Sequence, residues 1–182
     1  MKTIVLDRDG VINADSDHYI KSPQEWHPIP GSLEAIAMLH HNGYRVAVAT
    51  NQSGLARGLF DDVALSNIHQ TMATQVEAKG GVIEGVFYCP HGPDEGCACR
   101  KPGVGLLEQI EKEFQCVLRG AYFVGDSLKD LQAAAAYHMN PVLVRTGKGA
   151  GTENDLAEAG LQSVPVFDNL LDAVQQILGQ DG

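Results

Sequence analysis

Short apolar runs alternating with helix-length amphipathic segments constrain this chain more than any other feature. Thr3–Leu6 is apolar and ends in acid and glycine; Tyr44–Thr50, Val82–Tyr88, Ala121–Val124, Pro141–Val144 and Val164–Phe167 have the same character. Runs of that length and β-branched content read as buried strands. Between them, Ser32–Asn42 carries helical spacing (Leu33, Ile36, Ala37, Leu39), with Ser32 expected as N-cap and Gly43 as stop. Asp61 can cap a helix running to Lys79. Further helices fit Val104–Gln115, Leu128–Tyr137, Glu153–Ala159 and, capped by Asp168, a last segment to Leu178. Strict alternation implies right-handed crossovers, hence an α/β, doubly wound, Rossmann-like parallel sheet of about six strands with helices on both faces. In the common order 3-2-1-4-5-6 the first strand is central, and ligands bind at the carboxyl ends of strands beside the switch point.

The 182 residues suffice for one sizeable core, so a single domain spanning 1–182 is expected. No apolar run approaches the ~18 residues of a membrane span, and the N-terminal run is too short for a signal peptide. A cytoplasmic protein with no membrane partner is expected. Thirteen basic against 23 acidic side chains give a net charge of −10, with no basic patch to receive nucleic acid.

The strand ends carry the chemistry. The first ends in Asp7-Arg8-Asp9-Gly10, the second in Thr50-Asn51-Gln52-Ser53, the fourth in Gly125-Asp126-Ser127 with Asp130 beyond. The expected strand order gathers these clusters in one crevice. One aspartate after a strand is often only a turn residue or helix cap. Several converging oxygens suit Mg²⁺, which binds through one or two carboxylates plus substrate phosphate. Asp130 lies one helical turn past Asp126 on the same side, so support of the site is expected of it rather than direct ligation.

Cys89, Cys97 and Cys99 fall close together, while Cys116 lies alone on an expected helix. Clustered thiols in a reducing compartment more often bind metal than form a disulfide framework. With His91 they make C-x-H-x5-C-x-C, a Cys3His set that meets the tetrahedral needs of structural Zn²⁺ and leaves no position open for catalysis. Arg100-Lys101-Pro102 follows directly, so the clip would fix the chain that carries Lys101.

These motifs resemble those of the haloacid-dehalogenase-type phosphohydrolases, in order and over nearly the whole chain: DRDGV at Asp7–Val11, Thr50 in TNQSG, Lys101 in RKP and GDSLKD at Gly125–Asp130. The resemblance implies Asp7 as nucleophile and Asp9 as general acid and base. It implies Thr50 and Lys101 as holders of the transferring phosphoryl group, and Mg²⁺ held by Asp7, Asp126 and the backbone carbonyl of Asp9. Neighbouring carboxylates would raise the pKa of Asp9, whereas Mg²⁺ and Lys101 would lower it, and the sequence leaves that balance open.

A cysteine-rich loop before RKP is similar to that of the group containing heptose 1,7-bisphosphate and histidinol-phosphate phosphatases. The resemblance then implies release of the C7 phosphate from a sugar bisphosphate, in the making of nucleotide-activated heptose for lipopolysaccharide. Histidinol phosphate is the alternative substrate and a phospho-aspartate signalling module the alternative class. Neither Gly10–Gly31 nor Cys89–Gly103 is long enough for a cap domain, so a loop-lined site is expected. By resemblance, Asp15, Ser16, Asp17 and His18, with Asn51, Gln52, Ser53 and Arg100, would contact the sugar or its second phosphate. A monomer acting on a small molecule is expected. Gly147–Gly151 lacks the GxxxxGK[ST] spacing of a phosphate loop and reads as a plain flexible loop.

Overall fold

Six parallel strands form the sheet that the alternation predicts, in the order 3-2-1-4-5-6. The computed structural model describes residues 1–180. Its elements are β1 (Lys2–Leu6), α1 (Ser32–His41), β2 (Tyr44–Asn51), α2 (Asp62–Ala78), β3 (Gly85–Cys89), α3 (Gly105–Phe114), β4 (Tyr122–Gly125), α4 (Leu128–Ala136), β5 (Asn140–Val144), α5 (Gly149–Asp155), β6 (Val166–Phe167) and α6 (Leu170–Gln180), with a 3-10 turn at Pro23–Glu25. Among the described residues no helix is long and apolar enough to cross a membrane.

Side-chain alternation along β1 shows why the sheet needs two helical layers. Ile4 and Leu6 face one way, with Val46 and Val48 of β2, and pack against Ile36 and Leu39 of α1, Ile68 of α2, and Val174 and Ile177 of α6. Val5 faces the other way, with Ala47, Ala49 and Phe123, against Leu106 and Ile110 of α3 and Ala133 and Ala134 of α4. The small alanines let α4 approach the sheet closely, while Ala135 and Ala136 turn outward. Leu6 pairs with Val48 on one side and Val124 on the other, which sets the ends of β1, β2 and β4 at one level.

Several boundaries differ from the sequence reading. Gly31, not Ser32, caps α1; Ser32 is its first residue and donates its hydroxyl to the Val11 carbonyl at 2.8 Å. Asp61 caps α2 as expected, accepting from the Ala64 amide at 2.8 Å. Asn169 rather than Asp168 caps α6, through the Asp172 amide at 2.9 Å, because Asp168 is drawn to Arg145 at 2.7 Å. The third strand begins only at Gly85, since the Glu84 amide has already closed on the Val46 carbonyl. The helix expected at Glu153–Ala159 starts at Gly149, so the glycine-rich stretch is helical at its end rather than a flexible loop. Gly149 is the reason: a Cβ there would sit 1.6 Å from the Val144 carbonyl oxygen. Only a glycine lets the chain turn into a helix that tightly against β5.

Candidate active site

β1 delivers Asp7 and Asp9 to the centre of the carboxyl edge. The Asp7 amide still donates to the Val124 carbonyl at 3.0 Å, after which the chain leaves the extended path. A turn follows in which the Arg8 carbonyl accepts from the amides of Ile12 and Asn13 at 2.9 and 3.2 Å. Asp7, Asp9, Thr50, Lys101 and Asp126 all line a cleft of ≈ 500 Å³. The expected crevice is therefore a real gathering of strand ends.

Lys101 organises its floor. Buried to 3 % exposure, its ammonium lies 2.9 Å from Asp7 Oδ1 and 2.6 Å from Asp130 Oδ1, and donates to the Ala49 carbonyl at 2.7 Å. Burial alone would push Lys101 down, but the charges of Asp130 and Asp7 outweigh it and hold the ammonium above its ordinary pKa. Asn51 fixes the lysine's backbone from both sides, accepting from its amide at 3.0 Å and donating to its carbonyl at 3.1 Å. Asp130 also accepts from the Ser127 amide and hydroxyl, so its carboxylate is committed to Lys101 and the start of α4.

Asp7, Asp126 and Asp130 bring carboxylate oxygens within 4.8 Å of one another. One ammonium cannot neutralise three buried anions. Burial, then the charge of Asp130, pushes Asp7 well above the usual carboxylate range and Asp126 up to about 7. Asp126 is seated by the following loop: its Oδ2 accepts from the Lys148 amide at 2.8 Å, and a Cβ on Gly10 or Gly147 would fall 2.0 or 2.2 Å from that oxygen. Thr152 closes the seat from α5, donating to the Asp126 carbonyl at 2.8 Å.

Asp9 is the opposite case. Burial raises its pKa, but the Arg8 charge and hydrogen bonds from Asn13, Arg8 and Gln52 outweigh it and hold the carboxyl below its ordinary range. The cation that decides the balance is thus Arg8, a residue to which the sequence assigned no part. Gln52 also donates to Thr50 Oγ1 at 2.9 Å, leaving the threonine's own proton for another acceptor.

The cleft's walls come from loops. Asp15, Ser16, Asp17, Asn51, Gln52, Ser53 and Arg100 line it; His18 does not, whereas its neighbour Tyr19 does. The walls also include Arg57, Lys129 and Lys148, to which the sequence assigned no part. Lys148 lies 3.6 Å from Asp15, tying the α5 loop to the Asp15–Asp17 segment.

The four expected zinc ligands meet at one point. Cys89 Sγ lies 3.6 Å from Cys97 Sγ, 3.0 Å from Cys99 Sγ and 3.5 Å from His91 Nδ1, and His91 Nδ1 lies 3.2 Å from Cys99 Sγ. A tetrahedral ion with ligands at ~2.0–2.3 Å needs donor atoms roughly 3.3–3.8 Å apart, a shell of about this size. The quartet could therefore hold a metal ion, and nothing else in the loop explains the crowding. It is coupled to the cleft: the Gln52 amide donates to the Cys89 carbonyl at 2.8 Å, and Arg100 Nη1 reaches the His91 carbonyl at 3.4 Å.

Comparison with known proteins decides the family. A family model described as HAD-hydrolase-like matches residues 98–173. A Pseudomonas putida D-glycero-beta-D-manno-heptose-1,7-bisphosphate 7-phosphatase is 49% identical, covering 98% of this chain and 100% of its own. Its Bordetella bronchiseptica counterpart is 51% identical, covering 98% of each. The chain belongs to the haloacid-dehalogenase-like phosphatases. A crystal structure of the B. bronchiseptica D,D-heptose 1,7-bisphosphate phosphatase, complexed with magnesium and phosphate, overlays this HAD-like phosphatase with a TM-score of 0.93 at 50% identity and 99% coverage of both chains. The Burkholderia thailandensis enzyme follows at 0.75 and 42%, covering 98% of this chain and 99% of its own. In this HAD-like phosphatase the cleft lies where β1, β2 and β4 end, as expected of a doubly wound sheet.

Proposed function

We propose that the chain is a Mg²⁺-dependent phosphatase that removes the C7 phosphate of D-glycero-beta-D-manno-heptose 1,7-bisphosphate through an aspartyl-phosphate on Asp7. The observation that carries the chemistry is Lys101, buried between Asp7 and Asp130 at the floor of an open cleft. A carboxylate attacking a phosphate monoester meets like charge, and a fixed ammonium beside the attacking oxygen lowers that barrier. The substrate is supported by the relatives' names at about half identity over their full length.

The residues fit a divalent cation. Three buried carboxylates share one ammonium, and the raised pKa values of Asp7 and Asp126 express repulsion that a cation would relieve. Asp7, Asp126 and the backbone carbonyl of Asp9 would hold it, with Asp130 acting on Lys101. When bound, Mg²⁺ supplies positive charge for the phosphoryl oxygens.

The chain's own groups do the rest. An Asp7 oxygen bonds to phosphorus as the bond to the sugar oxygen breaks, and Asp9 gives that oxygen its proton. Water then gives a proton to Asp9 and displaces Asp7, releasing inorganic phosphate. Asp9 rests as a carboxylate, so it takes up its proton as the anionic substrate enters, because an added anion raises a neighbouring carboxyl's pKa. Thr50 and Lys101 hold the phosphoryl oxygens. Arg100 serves the far end of the substrate, together with Asp15, Ser16 and Asp17 and the loop Asn51, Gln52 and Ser53. A planar guanidinium suits a second phosphate, and a histidinol amine would leave it without a partner. The cysteine quartet holds Zn²⁺ as a structural ion that fixes the chain before Lys101.

Phosphate release and product analysis test this reading. Wild type should convert the 1,7-bisphosphate to heptose 1-phosphate, and Asp7→Asn should lose turnover and leave no labelled protein. Arg100→Ala should lower kcat/KM without lowering the melting temperature. Release from C1, preference for histidinol phosphate, or near-normal turnover by undeamidated Asp7→Asn would overturn it.

A further inference from the structure

Between the two aspartates of the first strand end sits an arginine with no exposed surface. A fully buried guanidinium is expensive to desolvate, and an apolar residue of similar size would often be as stable. Its contacts show what it does instead. Arg8 Nε lies 3.1 Å from Asp9 Oδ1, and Nη2 lies 2.9 Å from Oδ1 and 3.1 Å from Oδ2. This is a fork onto the next residue's carboxylate. The remaining nitrogen, Nη1, is 3.1 Å from His69 Nε2 on α2, in the middle of a helix that supplies no wall of the cleft. Arginine can only donate, so Nε2 accepts, and His69 is neutral with its proton on Nδ1. The ring lies against Tyr88 of β3, 6.1 Å between centroids.

Asp9 is gripped from two further sides. Asn13 Nδ2 donates to Oδ1 at 2.9 Å, and Gln52 Nε2 donates to Oδ2 at 2.9 Å. The Asn13 amide donates in turn to the Arg8 carbonyl, so arginine backbone and side chain close the same turn. The Asp9 side chain nevertheless keeps 22 % of its surface exposed and lines the cleft. The clamp sets the carboxylate's direction while leaving it open to the substrate. It is built for orientation, since Arg8, Asn13 and Gln52 together hold both carboxylate oxygens.

We propose that Arg8, itself fixed by His69, is a positioning residue for Asp9, aiming its carboxyl at the oxygen of the departing alcohol. The inference rests on the reading of Asp9 as proton donor. A displaced donor harms the reaction in proportion to the proton the leaving group needs. A sugar alkoxide leaves poorly without a proton, whereas p-nitrophenolate leaves readily as the anion. A merely structural defect would slow both esters alike.

The experiment compares heptose 1,7-bisphosphate with p-nitrophenyl phosphate for wild type, Arg8→Met, Arg8→Lys, His69→Leu, His69→Gln and Asp9→Asn, with circular dichroism as the check on folding. Arg8→Met should lower kcat/KM on the sugar ester, which reports only the steps up to departure of the alcohol, by roughly a hundredfold, in the range general acid catalysis contributes. It should lower kcat/KM on the aryl ester by under about fivefold on the same reasoning. Arg8→Lys should not rescue, because an ammonium cannot grip both oxygens in one plane. His69→Leu should shift the sugar-to-aryl ratio in the same direction by less, and His69→Gln, which keeps an acceptor, should restore it. Asp9→Asn provides the full-amplitude reference.

A folded Arg8→Met that slows both esters equally overturns the proposal. Should Arg8→Met not fold, His69→Leu decides by the same ratio. Wild type that releases no phosphate from the sugar ester removes the functional reading and this inference with it. Wild-type turnover, with the ester dependence present in Asp9→Asn and absent from the folded Arg8 or His69 variant, overturns this inference alone.

Discussion

At the residue scale, His69 is the group whose protonation the fold most plainly forbids. Burial and then the Arg8 charge push it down to about 3, from an ordinary value of 6.5. Between those two values the unfolded chain holds a proton that the native protein does not. His69 therefore contributes stability that is fully present above pH 6.5 and is lost as pH falls towards 3. Urea midpoints measured from pH 7 to 4 should fall more steeply for wild type than for His69→Leu; parallel curves would count against the depressed value. None of this was legible in the sequence. Asp7, Thr50, Lys101 and Asp126 announce themselves because each ends a strand or follows a motif. Arg8 and His69 are 61 residues apart, and only the packing of α2 over the end of β1 brings them together at 3.1 Å. The open question about Asp9 was decided by Arg8, its neighbour in sequence, with Asn13 and Gln52.

At the scale of elements, the loop between β3 and α3 couples the cysteine quartet to Lys101. It begins at buried Cys89, closes through Cys97 and Cys99, and passes directly into Lys101. Cys97→Ser should release the bound zinc. It should also lower kcat/KM by roughly tenfold or more, as loss of a metal's supporting groups commonly does. Metal analysis of freshly purified protein checks the first part and phosphate release the second. Wild type without zinc, or a zinc-free variant with full activity, would dismiss the clip. Ligand spacing made this loop readable. The glycine stretch before α5 was misread for the opposite reason: glycines ordinarily signal flexibility, and here they permit close approach, at Gly147 to Asp126 and at Gly149 to the Val144 carbonyl. Sequence shows which positions lack a side chain, not which neighbour needs the room. Asp168 illustrates the same limit, since either it or Asn169 could cap α6 and only Arg145 decides between them.

For the whole molecule, the strand order was legible because alternation and crossover handedness leave few arrangements, and the observed sheet has the expected one. Its carboxyl edge gathers Asp7, Asp126 and Asp130 into a site whose repulsion is spread over β1, β4 and α4. A divalent cation that binds only the folded protein stabilises it by mass action, by about 2.7 kcal/mol at a hundred times its dissociation constant. Chelator-treated protein should melt at progressively higher temperature as Mg²⁺ is titrated in, and Asp126→Asn should flatten that dependence. A melting temperature indifferent to Mg²⁺ in wild type would contradict the metal assignment. The sheet order also bears on how the chain is made. Translation proceeds from the N-terminus, so β1, β2 and β3 can pair while β1 still forms an outer margin, because its other neighbour lies at residues 122–125. Until those residues leave the ribosome, the strand that ends in Asp7 presents an unpaired, apolar margin to every other nascent chain nearby, the arrangement most open to wrong partners. The margin that β4 later covers thus stays open throughout that interval, so the strand ending in Asp7 is exposed to mispairing during synthesis rather than after it.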